Sequence, residues 1–210
     1  MNILAILGAS GHGRVVADAA RLSEQWAEII FYDDAFPHLQ VSGGIPVVGN
    51  SSALLQRHDC DVVVAIGNNT IRLNRLMELR DAGLSLAVVK HPASVVAGDV
   101  VLGAGTVVLA NAVINTLAKI GMGCIINTSS VVEHDCELGD GVHIAPAASL
   151  AGEVIIEQRC WIGIGAVVKQ AIRLEHDIIV GAGAVVIKSA AANQTLVGVP
   201  AYSLSGKAKG

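Results

Sequence analysis

No uninterrupted apolar stretch of this 210-residue chain approaches the roughly 18 residues that a bilayer-spanning helix needs, although 52% of its residues are hydrophobic and its mean hydropathy is +0.58. A membrane span is thereby excluded as the source of the excess. Basic residues are sparse as well: 14 Lys and Arg lie scattered against 18 acidic residues, a balance of −4 that offers no footprint for nucleic acid. No cleavage-like segment follows the short, uncharged run Met1 to Gly8, which enters a Gly-rich turn directly, so no signal peptide is expected and the expected location is the cytoplasm. With only two Trp, two Tyr and two Phe, aliphatic side chains must fill whatever core forms.

What is abundant is a repeat. Stepping six residues at a time from Val96 reaches Leu102, Val108, Ile114 and so on to Val180 and Val186, and all sixteen positions are aliphatic. Four residues later in each hexad, a second register from Val100 to Ala190 carries only small or aliphatic side chains. Neither the period of a helix nor the alternation of a single strand maintains such a pattern, which is that of a parallel β-helix. Each hexad supplies a short strand and a turn, three hexads close a triangular coil, and sixteen make about five coils stacked at roughly 4.8 Å. Gly103, Gly121, Gly139, Gly163 and Gly181, with Asn115 and Asn127, follow the aliphatic residue, and a left-handed backbone is expected there. Of the four cysteines, Cys124, Cys136 and Cys160 fall in the small-residue register and read as small hydrophobes inside the coil. Cys124 and Cys160 stand two coils apart on one wall, too distant for a disulfide.

Residues 1–90 follow another rhythm. Ile3 to Leu7 is an apolar run that meets Gly8-Ala9-Ser10-Gly11-His12-Gly13 and then a helical stretch from Arg14 to Leu22. Strands are expected over Glu28 to Tyr32, Asp61 to Ile66 and Leu86 to Lys90, alternating with helices near Ser51 to Arg57 and Ile71 to Ala82. That order is a small Rossmann-like parallel α/β sheet. Its loops at Ser10, Asp33 and Asn68 follow the carboxyl ends of strands, where such sheets bind ligands. The glycine spacing is G-x-x-G-x-G rather than the G-x-G-x-x-G of dinucleotide-binding turns, though Asp33 stands about 20 residues on, where a ribose-binding acid would sit. A helix start with free N–H groups suits any phosphate, including the diphosphate of a nucleotide sugar; a tight turn without ligand is the alternative. His91-Pro92 marks the boundary, giving an α/β domain over residues 1–90, a β-helix over 91–192 and a C-terminal cap and tail over 193–210.

Together, the Gly-Ala-Ser-Gly-His-Gly turn, the strand ending in Asp33-Asp34, the loop Ile66-Gly67-Asn68-Asn69 and the hexapeptide segment Asn127 to Cys136 resemble the nucleotide-sugar acyltransferases. The closest resemblance is to the bacterial UDP-4-amino-sugar N-acetyltransferases of the bacillosamine pathway. It implies a left-handed β-helix, a homotrimer with active sites between neighbouring β-helices, acetyl-CoA as donor without a metal, and a nucleotide-sugar acceptor, with a UDP link favoured over a GDP link and the base itself left open. Residue by residue, it implies acetyl-CoA contacts at His143, Gly152, Ile164 and Ala182, and nucleotide-sugar contacts at Ser10, Gly11, His12, Asp33, Asp34, Asn68 and Ile71. Val197 to Ala201 resembles the family's closing segment, and Ser203 to Gly210 is expected to fray.

Chemistry points separately to His134. It takes an outward place in its hexad, and an imidazole of pKa about 6.5 can accept the proton that an amine loses on attacking a thioester. Gly152 follows one coil of eighteen residues later, and its N–H is a candidate donor to the oxyanion. The family places a carboxylate after the base to orient it, here Asp135. Adjacent strand residues face opposite ways, so unless the corner turns the pair together Glu133 could serve instead, or neither carboxylate does. The expected reaction is N-acetylation of a nucleotide-linked 4-amino-4,6-dideoxy sugar with His134 as general base. Sugar O-acetylation of the sialic acid type would use the same base, and a non-catalytic nucleotide-binding trimer is a third reading. A zinc hydratase is disfavoured, since His134, His143 and His176 are never separated by a multiple of 18 residues.

Overall fold

The computed structural model describes residues 2–204 and joins a mainly parallel α/β sheet to a left-handed β-helix. In chain order the first unit comprises β1 (Ile3–Leu7), α1 (Gly11–Leu22), β2 (Glu28–Tyr32), β3 (Val41–Ser42), β4 (Ile45–Gly49), α2 (Ser51–Leu54), β5 (Asp61–Val64), α3 (Asn69–Asp81) and β6 (Ser85–Leu86). The strand order is β3-β4-β2-β1-β5-β6, and only the β3–β4 pairing is antiparallel. Because the chain departs from β1 to both sides, a crevice opens beyond its carboxyl end, between the loops after β2 and β5. Two glycines make the turn there: Gly8 has a φ of +107°, and a Cβ on Gly13 would lie 2.0 Å from the Gly8 carbonyl oxygen. The β3–β4 hairpin was not expected from the sequence, although Gly43-Gly44 between two β-prone runs marks such a turn.

The second unit is a three-sided prism. Wall I stacks Val89–Lys90, Val107–Val108, Ile125–Ile126, His143–Ile144, Trp161–Ile162, Ile179–Val180 and Thr195–Val197; wall II runs from Val95–Val96 to Val185–Val186; wall III runs from Val101–Leu102 to Arg173–Leu174. The run Leu86 to Lys90, expected as one strand, divides. Leu86 pairs with β5, whereas Val89–Lys90 pairs with Val107–Val108 and begins wall I. One apolar cluster fills the prism from Val108 to Leu196 and includes the three cysteines, whose thiols donate to the carbonyls of Gly139, Ala151 and Glu175. Burial pushes Cys124 and Cys160 up to about 12, so both are inert thiols.

The corners correct one expectation. The left-handed residue is not the one after the inward aliphatic but the third after it, at Gly105, Asn111, Leu117, Gly123, Ser129, Asp135 and onward to Gly183. Gly103, Gly121, Gly139 and Gly163 are required by crowding instead: a Cβ on Gly103 would meet the Gly121 carbonyl at 2.4 Å, and one on Gly163 the Val180 oxygen at 2.5 Å. The crowding is local to these glycines, since the equivalent position elsewhere carries Leu109, Asn115, Asn127 and Glu133.

The α/β unit rests on wall I, where Val89, Val107 and Leu109 join the cluster of Leu4, Ile6, Val16 and Phe31. Helix α3 lies along the edge between walls III and I. A Cβ on Gly105 or Gly123 would sit 2.5 or 2.3 Å from the Leu76 methyls, so the glycines form the strip that receives the helix. At the far end, Tyr202–Ser203 folds back on Thr195–Val197, and hydrogen bonds from Val185 to Gly198 and from Ala201 to Val185 close the last coil. The tail was expected to fray from Ser203, but Ser203 pairs with Leu196 and Leu204 N–H donates to the Thr195 carbonyl at 2.8 Å; residues 205–210 lie outside the described residues. No helix among them is long and apolar enough to cross a membrane.

Candidate active site

After Val131–Val132 on wall II the chain turns the edge between walls II and III through Glu133, His134 and Asp135 before Cys136 points inward. Asp135 has a φ of 58°, and this left-handed residue lets two consecutive side chains meet, which a regular strand forbids. His134 Nδ1 lies 2.8 Å from Asp135 Oδ2, so Nδ1–H donates to the carboxylate and Nε2 is left as the acceptor nitrogen. That hydrogen bond, with the surrounding acidic charge, raises the His134 pKa above its ordinary value. Glu133 is engaged elsewhere, accepting from Asn115 Nδ2 at 2.8 Å. One coil on, Glu153 N–H donates to the His134 carbonyl at 3.0 Å, and the imidazole rests on Gly152: a Cβ there would be 2.5 Å from Cε1 and 2.6 Å from Nε2. The Gly152 N–H meets no protein acceptor among the described residues and is free to donate beside the base.

Ile164 and Ala182 form another column, on the edge between walls I and II, where Gly183 N–H donates to the Ile164 carbonyl at 2.8 Å. Both are exposed. An eighteen-residue step keeps His134 with Gly152 and Ile164 with Ala182, but the twelve residues from Gly152 to Ile164 carry the chain two walls round. Within one chain the expected acetyl-CoA contacts therefore do not meet. His143 lies on wall I, only 5% exposed, and faces the α/β unit rather than a groove. Its Nε2 accepts from Asn127 Nδ2 at 3.0 Å, and its ring centroid is 4.3 Å from Trp161 and 6.5 Å from His12. The remaining nitrogen, Nδ1, is buried without a partner, as is Nε2 of His12. Burial first, then the nearby Arg72 charge, lowers His143 to about 3 and His12 to about 4, so both rings are neutral at ordinary pH.

The crevice of the α/β unit has a volume of about 220 Å³ and is lined by Leu7, Gly8, Ser10, Asp33, Asp34, Ala65, Ile66, Gly67 and Arg75. Ser10 stands at the N-cap of α1 with its hydroxyl uncommitted to the cap, and Gly11 follows, where a Cβ would have only Arg14 Nη2 for a neighbour, at 4.0 Å. Asp33 shapes the turn: its carboxylate accepts from Ala9 N–H at 2.8 Å and from Ala35 N–H at 2.9 Å. Asp34 accepts from Ser51 N–H at 2.9 Å and lies 3.6 Å from Arg75; hydrogen bonding to Ser51 is the main cause of its lowered pKa. Asn68 caps α3 by accepting from Ile71 N–H at 3.0 Å, and Ile71 itself is half exposed. Asn68 also borders a second hollow, of about 390 Å³, with Arg159, Trp161 and Asp177. Arg75 escaped the sequence reading. It follows Ile71 by one helical turn on the same face of α3, which was the available signal.

Residues 3–79 match the PglD N-terminal domain family. Over 171 residues the chain is 33% identical to the GDP-perosamine N-acetyltransferase of Escherichia coli O157:H7, covering 77% of this chain and 75% of the relative. The chain belongs to the nucleotide-sugar N-acetyltransferase family of hexapeptide-repeat type. Solved structures of this family superpose closely. The acetyltransferase domain of PglB from Neisseria gonorrhoeae FA1090, in complex with acetyl coenzyme A, gives a TM-score of 0.94 at 36% identity, covering 97% of this chain and all of that one (100%). PerB from Caulobacter crescentus, in complex with CoA and GDP-perosamine, gives 0.91 at 37% identity, covering 97% of each. Two of these relatives thus work with or bind GDP-perosamine, a GDP-linked sugar, whereas the sequence favours a UDP-linked acceptor.

Proposed function

We propose that this N-acetyltransferase transfers acetyl from acetyl-CoA to the 4-amino group of a nucleoside-diphosphate-linked 4-amino-4,6-dideoxy sugar, with His134 as general base. The observation that carries this reading is the His134–Asp135 pair resting on Gly152. As the amine adds to the thioester carbonyl, His134 Nε2 takes the amine proton, Asp135 stabilises the resulting imidazolium, and the Gly152 N–H donates to the oxyanion. Collapse breaks the C–S bond, and the imidazolium returns the proton to the departing CoA sulfur. The crevice beyond β1 holds the nucleotide portion, its diphosphate against Ser10 and Gly11 at the start of α1 and its polar groups against Asp34 and Arg75.

The separation of the acetyl-CoA contacts supports a trimer. Wall I is covered by the α/β unit as far as His143, and wall III carries Lys119, Glu137 and Arg173, but the outer row of wall II is Val95, Val113, Val131, Ser149, Val167 and Val185. An uncharged face of that length is the one a second copy covers. Three prisms with wall II toward a threefold axis set the His134 edge of one against the Ile164 and Ala182 edge of the next. His134, Gly152, Ile164 and Ala182 then line one groove, and His143, buried under the α/β unit, lies outside it. The enzyme acts in the cytoplasm, where both substrates are at hand.

The test is CoA thiol release with GDP-, UDP- and dTDP-linked 4-amino sugars, the GDP form first, beside their 4-hydroxy counterparts. Release with an amino sugar alone supports the reading; acetylation of the hydroxyl form instead would replace it with O-transfer.

A further inference from the structure

The reaction above leaves one side chain of α3 unused. Arg72 has no exposed surface, yet all its partners are uncharged oxygens. Its Nε donates to the Gly123 carbonyl at 2.8 Å; Nη2 donates to the Gly141 carbonyl at 2.8 Å and to Asn69 Oδ1 at 2.9 Å; Nη1 donates to the carbonyls of Ile66 at 3.0 Å and Gly67 at 3.2 Å. A guanidinium has five N–H groups, and here each has an acceptor. A buried cation without a counter-ion is costly to keep, so a helix that needed only to fill this space would carry Leu or Met.

The acceptors belong to two bodies. Ile66 and Gly67 also line the crevice after β5, while Gly123 and Gly141 are the same corner of successive coils. Asn69 extends the joint to a third coil, its Nδ2 donating to the carbonyls of Arg159 at 3.1 Å and Cys160 at 3.0 Å. One face of the loop after β5 therefore lines the crevice, and its other face is bolted to three consecutive coils. His134 falls between Gly123 and Gly141 in the chain, so this joint and the His134 edge share a height on the prism to within one coil spacing of about 4.8 Å.

We infer that Arg72 is a positioning residue for acetyl transfer, setting the distance from the nucleotide-sugar crevice to the edge on which His134 acts. The inference rests on the function proposed above. It predicts that Arg72→Met and Arg72→Lys raise the KM for the amino-sugar nucleotide by about tenfold or more and lower kcat, with the acetyl-CoA KM unchanged. Lysine keeps the charge but supplies three donors from one point, so it does not rescue. Free guanidinium restores the acceptor KM of Arg72→Ala, and Asn69→Ala gives the same split in smaller degree while leaving the guanidinium in place. A purely structural Arg72 would lower the active fraction and leave both KM values as in the parent, which would overturn the inference. Amide hydrogen exchange in the full-length Arg72→Met protein reads the joint without substrate: faster exchange confined to residues 66–69 and the corners near 123 and 141 is expected, and unchanged exchange there refutes it. An unsubstituted enzyme that turns over no amino sugar would count against the proposed function, and the exchange experiment would still judge the joint.

Discussion

Adding one methyl group at Gly152 tests the active-site geometry most directly. The alanine Cβ would lie 2.5 Å from Cε1 and 2.6 Å from Nε2 of His134. Ordinary carbon contacts are about 3.5–4.0 Å, so the ring must retreat by about 1 Å. The backbone does not resist the change, because Gly152 is not among the residues of positive φ, and the half-exposed imidazole can swing toward solvent. Stability should therefore shift by no more than about 0.5 kcal/mol. A base displaced by about 1 Å costs on the order of 10² in rate, and that is the expected fall in kcat for Gly152→Ala, with the acceptor KM unchanged. Steady-state thiol release with each substrate varied in turn, beside a thermal melt, separates the outcomes. Full kcat in a variant that melts normally would show that the contact between ring and glycine is immaterial. A raised acetyl-CoA KM with kcat intact would make Gly152 a donor-binding residue and nothing more.

His134→Ala should lower kcat by about 10² to 10⁴ with both KM values kept and partial recovery at high pH; a variant with parental kcat throughout would make the histidine structural. Since Asp135 raises the His134 pKa, the acid limb of kcat/KM should lie above about pH 6.5, and Asp135→Asn should move it downward; a limb that stays in place would separate the carboxylate from the base. Asp34→Ala should raise the nucleotide-sugar KM far more than that of acetyl-CoA, and equal effects would remove the crevice from acceptor binding. His12 and His143, near 4 and 3 when folded, take up protons only in the unfolded chain as pH falls through about 6.5, so each should subtract about 2 kcal/mol of stability by about pH 5. Denaturation midpoints equal at about pH 7.5 and pH 5 would contradict their neutral burial. Sedimentation should show a trimer, and a stable, active monomer would refute the shared groove.

The inward residues were legible in the sequence because each repeats the same environment every six residues: Val108 and Ile114 face one continuous core. The outward residues have no such repetition. His143 stands on wall I in the register of Ile125 and Trp161, and only the α/β unit docked on that wall turns it from a groove residue into a buried one. Arg72 reads as an ordinary polar position of an amphipathic helix until the carbonyls of Gly123 and Gly141 surround it. His134 and Gly152 were paired correctly because one coil is a fixed number of residues, whereas the approach of Asp135 to His134 depended on a left-handed corner placed two residues later than expected.

A stack of equal rungs also governs where the chain can change length. One whole coil inserted between Ala182 and Thr195 would extend the prism by about 4.8 Å and leave Arg72, His134 and Gly152 in register. The same insertion between Ile126 and Val131 would part Gly123 from Gly141 by two rungs, beyond the span of a single guanidinium, and the docked unit would lose its purchase. Growth by whole coils is thus open toward the C-terminal cap and closed at the centre of the prism.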